Sequence, residues 1–322
     1  MYDYFMEKLV WQKFILGCDN LDCPLQKGAG GVILFSKNIT SNGQLSNLIK
    51  EINDKSLIPP FISIDQEGGR VERTENIREK RLSARYVYQK GKDFLTKQSE
   101  EILKELFEYG FNLNFAPCVD VNTNPNNPII GERAFSDNPE EVIEASKIFI
   151  EASRRNNIIP CVKHFPGHGD ADKDSHLTLP VIDLPLDIME ETHIKPFKKA
   201  IDDDIEMIMA AHLHCTCFDK DEVPASLSKN AISYLRNTLN YDGVVISDDM
   251  VMKGVQAYGS LEACIMGINA GLDMFIFRNS DKETINMIEE LVKVVEKDSE
   301  LQEKIKKSND RILKLKKRYN LI

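Results

Sequence analysis

Eight short apolar runs, each followed by a stretch of helical pattern, constrain this chain more than any other feature of its sequence. They are "KFILG" near residue 14, "GGVILF" (30–35), "PPFISID" (59–65), "FNLNFAP" (111–117), "IIPCVKHF" (158–165), "EMIMAAHL" (206–213), "DGVVISDD" (242–249) and "LDMFIF" (272–277). "KFILG" is the weakest of the eight. Between them lie stretches with a period near 3.6, among them "NGQLSNLIKEIND", "PEEVIEASKIFIEASRRN" and "LEACIMGINAG", and a helix is expected near 94–109. Runs such as "GVVIS" are apolar on both faces, as strands covered on both sides by helices must be. A (β/α)8 barrel of about 250 residues plus insertions accounts for the length and the alternation. An open doubly wound sheet is the alternative, but no G-x-G-x-x-G turn supports it.

The placement of polar residues favours the barrel. Asp65, Asp120, His164, His212 and Asp248 each stand at or just past the end of an apolar run. In a barrel those ends converge on one face, where reactive groups gather. A single such residue reads as a helix cap or a turn; five in one chain do not. Residues 1–322 are expected to form one domain. Its basic amphipathic C-terminal helix, "LQEKIKKSNDRILKLKKRYNLI", is expected to dock on the barrel through Ile305, Ile312, Leu313 and Leu315. That reading is preferred over a membrane surface or a partner protein.

Bulk composition narrows the function. A formal net charge of −10 argues against a phosphate-backbone partner. The seven cysteines (18, 23, 118, 161, 215, 217 and 264) are odd in number and form no C-x-x-C pair, which fits a reducing compartment better than a disulfide framework. The opening "MYDYFMEKLVWQKFILGC" carries acidic residues where a signal peptide needs positive charge, and no long apolar stretch follows. A cytoplasmic protein that engages neither nucleic acid nor membrane is expected.

"KHFPGHGDADKDSHLTLP" (163–180) crowds three of the six histidines and a D-x-D-x-D run into one loop. A helix-loop-helix calcium site would need Gly at the sixth position and Glu at the twelfth. Those positions are Ser175 and Val181, so that reading fails. Asp174 and His176 are two apart, near enough for a carboxylate to orient an imidazole and raise its pKa, leaving a proton for a departing group. Gly167 and Gly169 are expected to make the loop pliable. In "VVISDDMVMKG", Asp248 and Asp249 follow a buried strand, where adjacent carboxylates are costly unless cations hold one or chemistry uses it. Lys163, Arg73 and Arg133 supply cations just beyond other strands. A carboxylate nucleophile, a separate proton donor and polar grips for hydroxyls are the requirements of glycoside hydrolysis.

These segments resemble the successive signatures of glycoside hydrolase family 3, and more narrowly of its single-domain β-N-acetylglucosaminidases. The resemblance rests on "SIDQEGGRVER", "FAPCVDVNTNPNNPIIGERAF", "KHFPGHGDADKDSHLTLP", "MAAHLH…PASLS" and "VVISDDMVMKGV", in the family's order. It implies that Asp248 is the nucleophile of a covalent glycosyl-enzyme intermediate, His176 the general acid/base and Asp174 its dyad partner. It further implies that Asp65, Arg73, Arg133, Lys163 and His164 bind the N-acetylglucosamine ring, with no metal and no cofactor. The implied activity is that of a retaining exo-β-N-acetylglucosaminidase, a monomer acting on N-acetylglucosaminyl-anhydromuropeptides in bacterial cell-wall recycling. Larger members carry a second α/β domain that can complete the site; here the acid/base is expected from the barrel itself. A histidine acid/base departs from the usual pair of carboxylates.

Substrate-assisted attack by the acetamido oxygen, with Asp248 and Asp249 only polarising it, stays open at this point. So does phosphorolysis, because a histidine does not repel an incoming phosphate as a carboxylate does. A non-catalytic sugar-binding barrel is the alternative from another class. In "AHLHCTC", strand alternation puts His212 and His214 on one face, so a zinc site with Cys215 and Cys217 is conceivable but disfavoured.

Overall fold

The computed structural model describes residues 2–171 and 179–322. Among these, ten strands occur: β1 (Phe14–Leu16), β2 (Gly31–Leu34), β3 (Phe61–Ile64), β4 (Leu113–Asn114), β5 (Ile159–Phe165), β6 (Val181–Ile182), β7 (Met207–Ala210), β8 (His214–Cys215), β9 (Val244–Asp249) and β10 (Met274–Phe277). Eight of them close into a parallel barrel with neighbours in the order β1-β10-β9-β7-β5-β4-β3-β2. All eight apolar runs contribute a strand. The weakest of them, "KFILG", supplies β1, which seals the ring against β10 with Phe14 opposite Phe275.

Strand alternation sorts the side chains into two cores. Ile15, Ile33, Phe61, Leu113, Ile159, Met207, Ile246 and Met274 form the cluster inside the barrel. Their neighbours along the strands, such as Phe14, Ile208, Val245 and Phe275, pack in a separate cluster with the surrounding helices. Every residue of β2, β3 and β7 is therefore buried on one side or the other, which is why these runs are apolar throughout.

The helices follow from capping and periodicity. Ser41 accepts a hydrogen bond from the Gln44 amide and starts the helix Asn42–Lys55, which buries Leu45, Ile49 and Ile52. Asn138 caps Pro139–Arg155 in the same way. The helix Ser299–Arg318 follows Asp298 and buries Leu301, Ile305, Ile312 and Leu315, whereas Leu313 is only half-buried. Ile312, Leu315 and Tyr319 join the interior barrel cluster. The Tyr319 hydroxyl donates to Glu206, just before β7, at 2.8 Å. This helix therefore floors the N-terminal end of the barrel.

β6 and β8 form a small parallel sheet outside the ring, pairing Val181 with His214 and Ile182 with Cys215. They tie the segment after β5 to the segment after β7. Alternation had carried the β7 run on to residue 213, but the barrel strand ends at Ala210. His212 thus lies in the connection and His214 on β8.

Candidate active site

Over the C-terminal ends of the strands opens a cleft of about 730 Å3, within the range of roughly 300–1,000 Å3 usual for ligand pockets. Asp65, Arg73, Arg133, Lys163, His164 and Asp248, six of the eight residues implicated by the sequence, line it. Asp174 and His176 lie outside the described residues.

One wall is a buried charge network carried by β3, β4 and β5. Lys163 Nζ sits 2.8 Å from Asp65 and 2.6 Å from Glu67. Glu67 in turn receives two guanidinium bonds from Arg133, at 2.9 and 2.8 Å. Arg133 Nη2 meets His164 Nε2 at 3.2 Å, and His164 Nδ1 meets Asp120 Oδ2 at 2.7 Å. The other Asp120 oxygen accepts from the His168 amide at 2.7 Å. Burial works to protonate Glu67, but Arg133 and Lys163 hold its carboxyl far below the ordinary range. Burial likewise disfavours the charge on Asp120, and the imidazole of His164, through charge and hydrogen bond, more than reverses it. Lys163 stays charged for the complementary reason: Asp65 and Glu67 overcome its desolvation and raise its pKa. Arg73 stands 4.0 Å from Asp65 and stacks its guanidinium 5.6 Å from the Phe35 ring.

The opposite wall is made by β9 and β10, and there two adjacent carboxylates have different fates. Asp249 is tied down: Arg278 pairs with one oxygen, and the amides of Val251 and Arg278 donate to the other at 3.1 and 3.2 Å. Burial raises its pKa, opposed by Arg278 and reinforced by Asp248. For Asp248 burial also acts upward. The imidazoles of His164 and His212, the Asp249 amide (2.7 Å) and Lys163 outweigh it and hold the carboxyl below the ordinary value. His212 supports this wall from behind, with Nδ1 at 2.7 Å from the Ser226 hydroxyl and Nε2 at 3.1 Å from the Asp249 carbonyl oxygen. An ionised carboxylate on one wall thus faces Arg73, Arg133 and Lys163 on the other.

The root of the loop after β5 differs from expectation. A Cβ on Gly169 would stand 1.7 Å from the Val121 carbonyl oxygen, and one on Gly167 2.6 Å from His193 Cβ. Gly167 also has φ +124°. Close packing calls for both glycines, and residues 161–169 are buried throughout.

Glu67 is the functional side chain that sequence reasoning overlooked, although it stands in "SIDQEGGRVER" two positions past Asp65, where the same strand-end rule applies. Asp120 was noticed at a strand end, but its partnership with His164 was not foreseen. Among the described residues, the His/Cys/Asp/Glu group close enough to share an ion is Cys118, Asp120 and His164, not the "AHLHCTC" cluster. Its donors already satisfy one another. The Cys118 thiol donates to Asp120 at 3.2 Å, and burial lifts its pKa well up, so it offers no thiolate.

A closed parallel barrel with an ionised carboxylate and a cationic grip facing each other across its C-terminal cleft has the layout of a (β/α)8-barrel enzyme. The pattern of the Glycosyl hydrolase family 3 N terminal domain matches residues 23–315. The chain is 35% identical over 317 residues to Beta-hexosaminidase A of Pseudoalteromonas piscicida, covering 89% of this chain and 53% of that protein. It is 33% identical over 269 residues to Beta-hexosaminidase of Tolumonas auensis, covering 81% of this chain and 79% of the relative. Among solved structures, a glycoside hydrolase family 3 β-N-acetylglucosaminidase from Paenibacillus sp. superposes with a TM-score of 0.93 at 30% identity, over 98% of this chain and 62% of the other. The β-N-acetylhexosaminidase from Beutenbergia cavernae gives 0.86 at 26% identity, over 97% and 98%. The chain belongs to glycoside hydrolase family 3. It spans about half the length of the Pseudoalteromonas relative.

Proposed function

We propose that this chain is a retaining exo-β-N-acetylglucosaminidase that hydrolyses terminal β-linked N-acetylglucosamine. Asp248 attacks the anomeric carbon, the glycosidic bond breaks, and a covalent glycosyl-enzyme forms. His176, oriented by Asp174, gives its proton to the departing oxygen, then takes one from the water that releases the sugar. Asp65, Arg73, Arg133, Lys163 and His164 grip the ring. The observation that carries this reading is the asymmetry of the two β9 carboxylates: Asp249 is consumed by Arg278 and two amides, whereas Asp248 stays ionised on the cleft wall. The names of the similar proteins support the hexosaminidase activity in this reading.

The finer reading takes the substrate as an N-acetylglucosaminyl-anhydromuropeptide, cleaved by the monomer in the cytoplasm during cell-wall recycling, without metal or cofactor. Two features support it. Lys37 and Arg278, both substantially exposed, line the cleft and suit an aglycone bearing carboxylates. All seven cysteines are free thiols, in keeping with a reducing compartment.

The test is turnover of a chromogenic N-acetylglucosaminide beside the matching glucoside. Asp248→Ala should lose roughly 10⁴-fold or more in turnover, and a 5-fluoro substrate analogue should label Asp248 in the wild type. Labelling at Asp249, or robust activity in Asp248→Ala, overturns the nucleophile. Sugar 1-phosphate among products in phosphate buffer replaces hydrolysis with phosphorolysis.

A further inference from the structure

His168 stands on the cleft wall with its hydrogen bonds unmade. The side chain lines the cleft and is only 3% exposed, yet neither Nδ1 nor Nε2 has a partner. Its neighbours differ. Both ring nitrogens of His164 are engaged, by Asp120 and Arg133, and both of His212 are engaged, by Ser226 and the Asp249 carbonyl. Buried polar groups in folded proteins are almost always paired, and an orphan asks for a missing partner.

The backbone around His168 is fastened with care although its ring is not. Its amide donates to Asp120 at 2.7 Å, and its carbonyl accepts from Asn127 Nδ2 at 2.8 Å. Gly167 packs on His193 before it and Gly169 on Val121 after it. The ring is thus held beside His164, with ring centres 6.0 Å apart and planes nearly perpendicular, by contacts that leave its own nitrogens buried and unpaired. A side chain placed this way is preorganised for something other than the protein. Burial also keeps the imidazole uncharged, lowering its pKa to about 4 in spite of Asp120. One nitrogen then donates and the other accepts. A neutral donor–acceptor suits a hydroxyl or a secondary amide, and it brings no charge to a carboxylate or phosphate.

We propose that His168 is a substrate-binding residue, its imidazole taking a neutral sugar group that both donates and accepts, a hydroxyl or the acetamido group, beside the position gripped by His164. This rests on the sugar-binding reading of the cleft given above.

Imidazole ¹⁵N spectra of the wild type, free and saturated with N-acetylglucosamine, test it without any substitution. The His168 nitrogens should shift together with those of His164. A His164 response with His168 unmoved overturns the proposal. If neither histidine responds, the sugar reading of the cleft fails and the His168 assignment falls with it. In a second arm, His168→Leu should weaken N-acetylglucosamine binding about tenfold, the loss of one hydrogen bond, with part recovered in His168→Gln and the unfolding midpoint verifying that both variants fold. Unchanged affinity in a folded His168→Leu also overturns it. Glucose then separates the two partners. An equal loss for glucose assigns the contact to a hydroxyl, and a loss confined to N-acetylglucosamine assigns it to the acetamido group.

Discussion

Among the described residues three lysines are almost wholly buried in this barrel, and its two ends treat them oppositely. At the C-terminal end, Lys163 lies between Asp65 and Glu67, and its pKa is driven up. At the N-terminal end, Lys13 donates to the carbonyls of Leu272 and Asp273, while Lys316 donates to Gln12 Oε1 and lies 5.0 Å from the Phe61 ring centre. Burial pulls both of these down to about 7. Desolvation alone discharges an amine; neutral oxygens do not prevent it. A buried cation that is to stay charged needs carboxylates beside it, and those carboxylates need further partners. Hence Glu67 comes with Arg133, Arg133 with His164, and His164 with Asp120. The active-site wall is a chain of mutual compensation that takes in its lysine, whereas the buried carboxylates of the floor, Asp273 and Glu206, pair with arginines instead.

Substitutions at the two ends should separate along the same line. Next to the loss expected of Asp248→Ala, the largest effect is expected from His176→Ala, which on the proposed mechanism removes the proton donor. Cleavage of a natural disaccharide should fall about 10² to 10⁴-fold, while the first step on a nitrophenyl substrate is largely spared. Asp174→Asn should follow the same pattern more mildly. Equal losses on both substrates would refute the dyad. So would activity that vanishes on chelation and returns with zinc or calcium. Lys163→Met takes a cation from buried Glu67 and half-buried Asp65, and about 10² to 10³-fold in kcat/KM should go with it. Lys13→Met and Lys316→Met should leave kcat/KM nearly unchanged. A floor lysine that proved as costly to activity as Lys163 would break the comparison.

Ile312→Ala should destabilise the fold by about 2–5 kcal/mol and leave kcat of the folded fraction intact, read by denaturant unfolding beside turnover. The smallest effect is a pH slope. The unfolded chain keeps protons on Lys13 and Lys316 up to roughly pH 10.4, whereas the folded chain releases them near 7. More protons are bound to the unfolded state between these values, so stability rises with pH across that window. Buried thiols such as Cys161 and Cys264, whose pKa values burial raises, oppose the trend once free thiols ionise above roughly 8.5. Tm measured from pH 7.0 to 8.5 should therefore increase, and increase less in Lys316→Met. A slope identical in the two proteins would show that Lys316 is charged in the floor.

The barrel was legible because period-2 and period-3.6 patterns report burial directly, and every strand of the ring is buried on both sides. β6 and β8 were not, since two-residue strands carry no period and owe their pairing to tertiary contact. "AHLHCTC" misled for the same reason: alternation presupposes a strand, and β7 had already ended. On the site, strand-end placement found Asp65, Lys163, His164 and Asp248. It could not tell Asp248 from Asp249, because the distinction lies with Arg278, a residue from another strand end. Nor could it value Glu67, whose meaning depends on two cations distant in sequence. The glycines of "PGHG" read as freedom in the sequence; in the fold, Val121 and His193 occupy the space where their side chains would be.

The floor also sets a timetable. Lys316 bonds Gln12 across 304 positions of chain, and Ile312, Leu315 and Tyr319 complete an interior that begins with Ile15. A polypeptide emerging from the ribosome N-terminus first cannot seal the barrel until those residues are out. β1 must wait as well, because its partner β10 begins only at Met274. Throughout synthesis the inner faces of the early strands stand open, and such surfaces invite chaperones and wrong neighbours. Contacts of this sequence separation are slow to form and protective only once made, so the emergence of the helix Ser299–Arg318 decides when the barrel ceases to be vulnerable.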